Sequence, residues 1–240
     1  MNSEIIIAED GAQLVEMLAA RLVMTARQCI DERGSFSLAL SGGSTPKALY
    51  QKLASPEWKD QIAWEKCDIV FGDDRAVAPD DVLSNYRMAR ETLLDFVPAR
   101  VHRIETERDN LEQAASDYEN VLRGLGGRLD VVLLGLGDDG HTASLFPNSP
   151  QLEVKDKWVT ATPVASLEPH VWRVTLTFDC INASRHAWFL ATGAGKAARV
   201  YDVLHGSKNV SKWPAQGVKL ASGELVWFLD EAAARDIVRS

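Results

Sequence analysis

Residues 135–142, GLGDDGHT, place one histidine beside two aspartates and three glycines. A neighbouring carboxylate fixes the tautomer of an imidazole and stabilises its cation, so His141 has the setting of a general base that works near neutral pH. A lone loop histidine is more often a cap or a tie between loop residues. We favour catalysis because three other polar, glycine-bearing segments also follow predicted strands.

The same segment matches G-x-G-x-x-G, the pattern of a dinucleotide-binding loop. Asp138 and Asp139, however, stand where a pyrophosphate needs backbone N–H groups and no negative charge. Pro147 comes seven residues after Gly140, where the long helix of a βαβ unit should continue. The pattern therefore indicates a catalytic loop rather than a nucleotide loop.

The segment SGGSTP at 41–46 suits a single phosphate. It follows a predicted strand and opens a predicted helix, whose N-terminus favours an anion. Its glycines allow close backbone approach, and its hydroxyls donate hydrogen bonds. The residues expected to contact the phosphate are Gly42, Gly43, Ser44 and Thr45. An ordinary strand-to-helix turn capped by Ser or Thr is the alternative interpretation.

Two further segments offer cations at strand ends. GDDR at 72–75 supplies Asp73 and Arg75, and an arginine there grips a sugar oxygen, a carboxylate or a developing oxyanion. Its alternative is a surface ion pair. TGAGK at 192–196 lacks the first half of a P-loop and the Ser or Thr after the lysine. It is still suited, as a glycine turn, to present Lys196 to an anion.

The segment VWRVTLT places an arginine among apolar neighbours. With the two-residue period of a strand, Arg173, Thr175 and Thr177 share one face. A charged side chain in a largely buried sheet needs an anionic partner. That partner is either a bound ligand or an internal aspartate or glutamate.

The elements that must position these segments alternate along the chain. Apolar runs and turn residues predict strands at 4–7, 36–40, 67–72, 102–105, 129–137, 158–164, 171–178, 186–193 and 225–230. Helical spacing predicts helices at 12–32, 46–54, 85–95, 109–123, 196–205 and 231–238.

Such an alternation predicts an α/β fold with a mostly parallel sheet covered by helices on both faces. Ligands bind such sheets at the carboxyl ends of the strands, so the polar segments should converge there. The absence of repeats and linkers in the sequence predicts one domain over 1–240, with a small β excursion near 155–180.

The bulk properties restrict the function classes. The 240 residues are 46% hydrophobic and 25% charged, which is typical of a globular protein. A net charge of −8 argues against nucleic-acid and membrane-surface binding. The three cysteines show no metal-ligand spacing and suit a reducing cytosol, and no apolar run approaches the roughly 18 residues of a membrane span. We expect a cytoplasmic location.

Five segments together resemble the 6-phosphogluconolactonase family in order and spacing across residues 36–196. They are LALSGGSTP, VFGDDRAVAPDDVLSNYRMARETLL, LDVVLLGLGDDGHTASLFP, WRVTLT and TGAGK. One departure is Asp74, where the family usually has glutamate; it bears on the contacts of residue 74 and not on the role of Arg75.

The resemblance implies hydrolysis of 6-phospho-D-glucono-1,5-lactone to 6-phosphogluconate, in the oxidative pentose phosphate pathway. It also implies a modified Rossmann-like fold, shared with glucosamine-6-phosphate deaminase and ribose-5-phosphate isomerase, and neither cofactor nor metal.

The resemblance also implies roles for the site residues. His141 would activate the attacking water, oriented by Asp139 or Asp73, and Arg75 would hold the substrate or the oxyanion. The 6-phosphate would be bound by Arg173 and Lys196 together with the backbone and hydroxyls of Gly42, Gly43, Ser44 and Thr45. The expected partner is a small sugar-phosphate lactone, with no nucleic acid and no membrane, and the expected state is a monomer or small homo-oligomer.

Two rival functions share this fold. A glucosamine-6-phosphate deaminase would need an acid five residues after His141, where this chain has Phe146. A non-catalytic sugar-phosphate sensor would need a DNA-binding segment, typically a basic helix-turn-helix, whereas this chain is acidic and starts almost at once with a strand.

Overall fold

The computed structural model describes residues 3–164 and 168–238. Its strands are β1 (Glu4–Ala8), β2 (Phe36–Leu40), β3 (Cys67–Phe71), β4 (Asp73–Arg75), β5 (Arg100–Val101), β6 (Val131–Gly135), β7 (Val159–Thr162), β8 (Arg173–Leu176), β9 (His186–Ala191) and β10 (Glu224–Asp230). Its α-helices are α1 (Gly11–Arg33), α2 (Ser44–Leu53), α3 (Asn85–Thr92), α4 (Leu111–Gly124), α5 (Phe178–Ala183), α6 (Ala197–His205) and α7 (Glu231–Val238). No helix in the described ranges is long and apolar enough to cross a bilayer.

The main sheet has seven strands in the order β1-β10-β9-β6-β2-β3-β5. All of its strand pairs are parallel. In chain order, β2, β3 and β5 extend to one side and β6, β9 and β10 extend to the other, with the first strand, β1, at the edge beside β10. The order therefore reverses between β2 and β6. The predicted α/β fold with a mostly parallel sheet is confirmed, and the segments after β2 and β6 are neighbours at this switch point.

The central strands form because their residues are apolar on both faces. Every residue of β2 and β3 is buried, as are the first four of β6. Helix α1 covers the sheet with a buried stripe that includes Leu14, Leu18 and Leu22. It ends where Gly34 adopts the left-handed conformation, with φ at +81°, and its N–H bonds to the carbonyl of Ile30.

A second, three-stranded sheet has the order β4-β8-β7 and is antiparallel. Strand β4 follows β3 after Gly72 alone, so this sheet begins at the carboxyl end of the main sheet. In the β4–β8 pair, Arg75 stands opposite Arg173 and Asp73 stands opposite Thr175. The small sheet thereby joins two of the predicted polar segments.

Three local predictions differ from the structure. The strand predicted at 102–105 is wrong: the chain pairs with β3 only at Arg100 and Val101. The N–H of His102 makes the last hydrogen bond to β3, to the carbonyl of Ile69 at 2.8 Å, and its Nε2 lies 2.9 Å from an oxygen of Asp68. The segment 72–75, interpreted as a loop, contains β4, because its residues find a partner in β8.

The third difference is at the end of β8. The predicted strand ran to residue 178, but Thr177 caps helix α5, its side chain accepting a hydrogen bond from the N–H of Cys180. Thr177 therefore lies outside the strand face that holds Arg173. Within the predicted β segment at 155–180, residues 165–167 lie outside the described residues.

Candidate active site

A cavity of about 250 Å³ opens at the carboxyl ends of β2 and β6. The predicted site residues that line it are Gly42, Gly43, Ser44, Thr45, Asp73, Arg75, His141, Arg173 and Lys196. Asp139 is not on its wall but contacts His141 from behind. Five segments that are distant in sequence thus meet at the switch point of the sheet.

Of the two aspartates predicted as partners of His141, Asp139 contacts the imidazole directly. An oxygen of Asp139 lies 2.5 Å from His141 Nδ1 and also accepts the backbone N–H of His141 at 3.0 Å. This contact fixes Nδ1 and leaves Nε2 as the nitrogen for proton transfer. Burial alone would raise the pKa of the Asp139 carboxyl, but its hydrogen bond to His141 and the charge of that ring lower it below its ordinary value.

Asp73, the other aspartate considered as a partner of His141, is held elsewhere. One of its oxygens accepts the hydroxyl of Ser144 at 2.6 Å, and the other lies 3.3 Å from the amide nitrogen of Asn85. Its side chain is buried and lines the cavity. Of the two alternatives, the geometry places Asp139 next to the imidazole.

The loop after β6 is shaped around the imidazole. The N–H of Gly137 bonds to the carbonyl of His141 at 2.9 Å, and the ring of Phe146 lies 4.7 Å from the His141 ring. A Cβ added to Gly137 would lie 2.0 Å from His141 Nδ1. Only glycine at 137 therefore lets the imidazole lie against the backbone.

Trp213 and Arg199 pack against the outer side of this loop, and neither was predicted from the sequence. Gly140 has φ at +84°, and a Cβ there would lie 2.8 Å from the Trp213 ring. Arg199 lies over the same ring at 4.1 Å and donates to the carbonyl of Asp138 at 2.7 Å. The sequence carries no local signal for these contacts, because residues 199 and 213 are brought to the loop only by the tertiary fold.

Asn85 is a second residue that sequence reasoning missed. Its side-chain oxygen accepts from Arg75 Nη1 at 2.8 Å, and its amide donates to the carbonyl of Asp73 at 3.0 Å. A Cβ added to Gly42 would lie 2.1 Å from that oxygen. Gly42 thus leaves the space that Asn85 needs to reach Arg75. This requirement is additional to the close approach of a phosphate predicted from the sequence. The sequence signal that could have identified Asn85 is the SNY of the segment VFGDDRAVAPDDVLSNYRMARETLL, which carries part of the family resemblance.

Asp74 has a purely local task. Its carboxylate accepts the backbone N–H groups of Arg75, Asn85 and Tyr86 at 2.8, 2.7 and 3.0 Å. Burial raises the pKa of this carboxyl, against the effect of those three donors. Asp74, although shorter than the glutamate usual in the family, has hydrogen bonds to both of its oxygens. These bonds fix the start of α3 relative to β4.

The far side of the cavity is cationic. Arg173 is 4% exposed, and its Nε is buried with no hydrogen-bond partner in the described part of the chain. Neither it nor Arg75 has a carboxylate within 4.0 Å among the described residues. Burial lowers the pKa of Arg173, and the charge of Arg75 lowers it further, against the opposing charges of Asp73 and Asp74.

The start of α2 completes the anion-binding surface. Gly43, with φ at +110°, precedes the helix, and no side chain caps its first N–H groups. Thr45 Oγ1 lies 2.8 Å from Thr192 Oγ1, which joins this turn to the end of β9. The hydroxyl of Tyr50 holds both the N–H and the carbonyl of Ser41. Free N–H groups at a helix N-terminus are suited to a phosphate.

The family model described as glucosamine-6-phosphate isomerases/6-phosphogluconolactonase matches residues 9–227. The chain belongs to this family. A 6-phosphogluconolactonase of Synechocystis sp. is 38% identical over 234 residues, an alignment that covers 93% of this chain and 94% of the relative. The resemblance stated from the sequence is confirmed.

Solved structures of the family agree in fold. The 6-phosphogluconolactonase from Trypanosoma brucei matches with a TM-score of 0.87 and 29% identity, over 98% of this chain and 99% of that chain. A monomeric glucosamine-6-phosphate deaminase matches with a TM-score of 0.85 at 19% identity, over 97% of this chain and 99% of that chain. Both branches of the family therefore share the modified Rossmann-like architecture seen here.

Phe146 bears on the choice between the two branches of the family. It is 7% exposed and lies between two site residues, with its ring 4.7 Å from the ring of His141 and 5.2 Å from the Arg173 guanidinium. The surface that it offers to the imidazole is apolar and has no group to exchange a proton. Among the described residues, no group of three or more His, Cys, Asp or Glu is arranged to hold a metal ion.

Proposed function

We propose that this chain hydrolyses 6-phospho-D-glucono-1,5-lactone to 6-phospho-D-gluconate, with His141 as the general base. The observation that carries the proposal is one cavity with two chemically different sides. One side holds an imidazole with a carboxylate at 2.5 Å, and the other holds the buried guanidinium of Arg173, which has no carboxylate within 4.0 Å among the described residues. A phosphorylated ester substrate needs both.

The steps follow from these groups. His141 takes a proton from water through Nε2 as the water oxygen bonds to the lactone carbonyl carbon, and Arg75 stabilises the oxyanion that forms. The bond from that carbon to the ring oxygen then breaks, and the imidazolium returns its proton to the departing oxygen. Asp139 keeps its charge throughout and stabilises the imidazolium.

The phosphate holds the substrate in position for this attack. Arg173 and Lys196 provide the charge, and the backbone of Gly42 and Gly43 with the hydroxyls of Ser44 and Thr45 provides hydrogen bonds. These groups offset a net charge of −8 that repels an anionic substrate at long range. We propose a free cytoplasmic metabolite as the partner, and a monomer or small homo-oligomer as the active state.

A coupled assay tests the function directly. The purified protein is added to freshly generated lactone, and 6-phosphogluconate release is followed through a dehydrogenase. We expect release well above that in buffer, where these lactones already open slowly. Release no faster than in buffer, or ammonia release from glucosamine 6-phosphate, would contradict the proposal.

The Asp139→Asn variant is expected to lower kcat about 10- to 100-fold with little change in KM. The amide is able to donate to Nδ1 and thereby hold the ring in the wrong tautomer, while the phosphate contacts are untouched.

Steady-state kinetics with the lactone measure the effect of this variant. Because the hydrogen bond to His141 and the charge of that ring lower the pKa of the Asp139 carboxyl, this group stays charged through the mildly acidic range and supports the imidazole there. A variant with full kcat would show that Asp139 does not serve the imidazole.

The Asp138→Asn variant is expected to lower KM about two- to fivefold and to leave kcat unchanged. Lys196 Nζ lies 2.5 Å from an oxygen of Asp138, whose side chain is 83% exposed. This surface pair competes with the substrate phosphate for the lysine. Steady-state kinetics with the lactone measure the effect, and an increase in KM would mean that Asp138 instead holds Lys196 in its binding position.

A further inference from the structure

A second cationic cavity lies at the amino-terminal ends of β6 and β9. Its volume is about 380 Å³, and its charged wall residues are Glu32, Arg33, Arg128 and Arg185. The His141 cavity lies at the carboxyl ends of the same strands. Since β6 has five residues at about 3.3 Å each, roughly 16 Å of sheet separate the two cavities, and both can be occupied at once.

Asp130 is a buried acid beside this cavity, and both of its oxygens already have partners. Asp130 accepts from Arg33 Nη2 at 2.7 Å and lies 3.2 Å from Arg185 Nε. Its second oxygen accepts both the N–H and the hydroxyl of Ser37, at 2.8 and 3.1 Å. A single carboxylate therefore meets two guanidinium groups and has no oxygen left for a third.

Arg128 is that third guanidinium. Its Nη2 donates to the backbone carbonyls of Ser184 and Ser222, and its Nε is buried with no hydrogen-bond partner in the described residues. No carboxylate of the described residues lies within 4.0 Å of it. Burial lowers the pKa of Arg128, and the neighbouring charges of Arg185 and Arg33 lower it further, against the opposing charge of Asp130. Asp130 thus acts on this cation only at a distance, while its oxygens bind other groups.

We propose that this cavity binds a phosphate group, with Arg128 and Arg185 as its principal contacts. Several oxygens on a compact dianion match converging guanidinium groups, which prefer phosphate and carboxylate over other partners. The dianion also supplies the charge that Asp130 cannot. The phosphate is either inorganic phosphate or the end of a phosphorylated metabolite, and the binding does not depend on the lactonase reaction.

Calorimetric titration with inorganic phosphate tests the proposal on the full chain. We expect two phosphates per wild-type chain, and one in Arg173→Gln, which disables the His141 cavity. The phosphate that remains should bind at least about tenfold more weakly when Arg128→Gln is added. Glu32→Gln should strengthen it, because that acid takes a hydrogen bond from Arg33 at the cavity wall. A parallel titration with glycerol 3-phosphate shows which source binds more tightly.

Lactonase activity close to that of the wild type is the folding control for Arg128→Gln. If that variant is unstable, Arg185→Gln takes its place, since it removes the second contact. No phosphate bound in Arg173→Gln, or binding in that variant that neither arginine substitution weakens, would overturn the proposal. Loss of the His141-cavity phosphate alone would bear on the proposed lactonase site and leave this one standing.

Discussion

The His141→Ala variant is expected to lose about 10²- to 10⁴-fold in kcat, the usual contribution of a positioned general base. A carboxylate oxygen of Asp139 lies directly behind the imidazole, 2.5 Å from Nδ1. Its removal leaves Arg75, Arg173 and the turn after β2 in place. Substrate binding should therefore survive, and KM should change little.

The measurement is the coupled lactonase assay on the wild type and the variant at equal concentration. His205→Ala is the matched control, because His205 is exposed at the end of α6, with its ring against Tyr201. Circular dichroism and thermal melting establish that both variants fold. If the folded His141→Ala variant kept its activity, the assignment of the base would be removed.

The Gly137→Ala variant is expected to lose about 10²-fold in kcat although it deletes no functional group. The new Cβ would lie 2.0 Å from His141 Nδ1 and 2.2 Å from its Cε1, so the ring must move away from Asp139. A displacement of about 1 Å in a catalytic group typically costs this much. Because Gly137 lies in the loop after β6 and outside the strand itself, the protein should remain folded.

Gly135→Ala, two residues earlier on the same strand end, is the control for this experiment. A Cβ there meets only Ser41 Oγ, at 3.8 Å, which is an ordinary contact. We expect its kcat to remain near that of the wild type. Equal losses in both variants would mean that the strand end is generally intolerant and that the contact with the imidazole is not the cause.

The sheet and the position of the site were predictable because they depend on local patterns. Buried five-residue runs such as Phe36–Leu40 and Cys67–Phe71 identify parallel strands, and the polar segments after them must meet at the carboxyl ends. The sequence left Asp139 and Asp73 as alternative partners of His141, and only the structure places Asp139 next to the imidazole.

The supporting contacts were not predictable, because they depend on packing between distant segments. Asn85 is ten residues from Arg75, and only the packing of the start of α3 against β4 brings its side chain to Arg75 and to the cavity wall. Gly42 was explained by phosphate approach, yet its closest constraint is the side chain of Asn85. Trp213 lies behind the catalytic loop through a contact that no spacing in the sequence encodes.

The register of the small sheet has a consequence for how an anion is captured. Arg75 and Arg173 are cross-strand neighbours, and Arg173 is almost completely buried in a protein of net charge −8. At physiological ionic strength, mobile ions screen exposed charges beyond about 8 Å, but they screen buried ones far less. Dissolved salt therefore weakens the long-range repulsion of the substrate more than its attraction to the two guanidinium groups. Capture depends on contact at short range, and this enzyme should tolerate salt better than proteins that attract phosphate with exposed lysines.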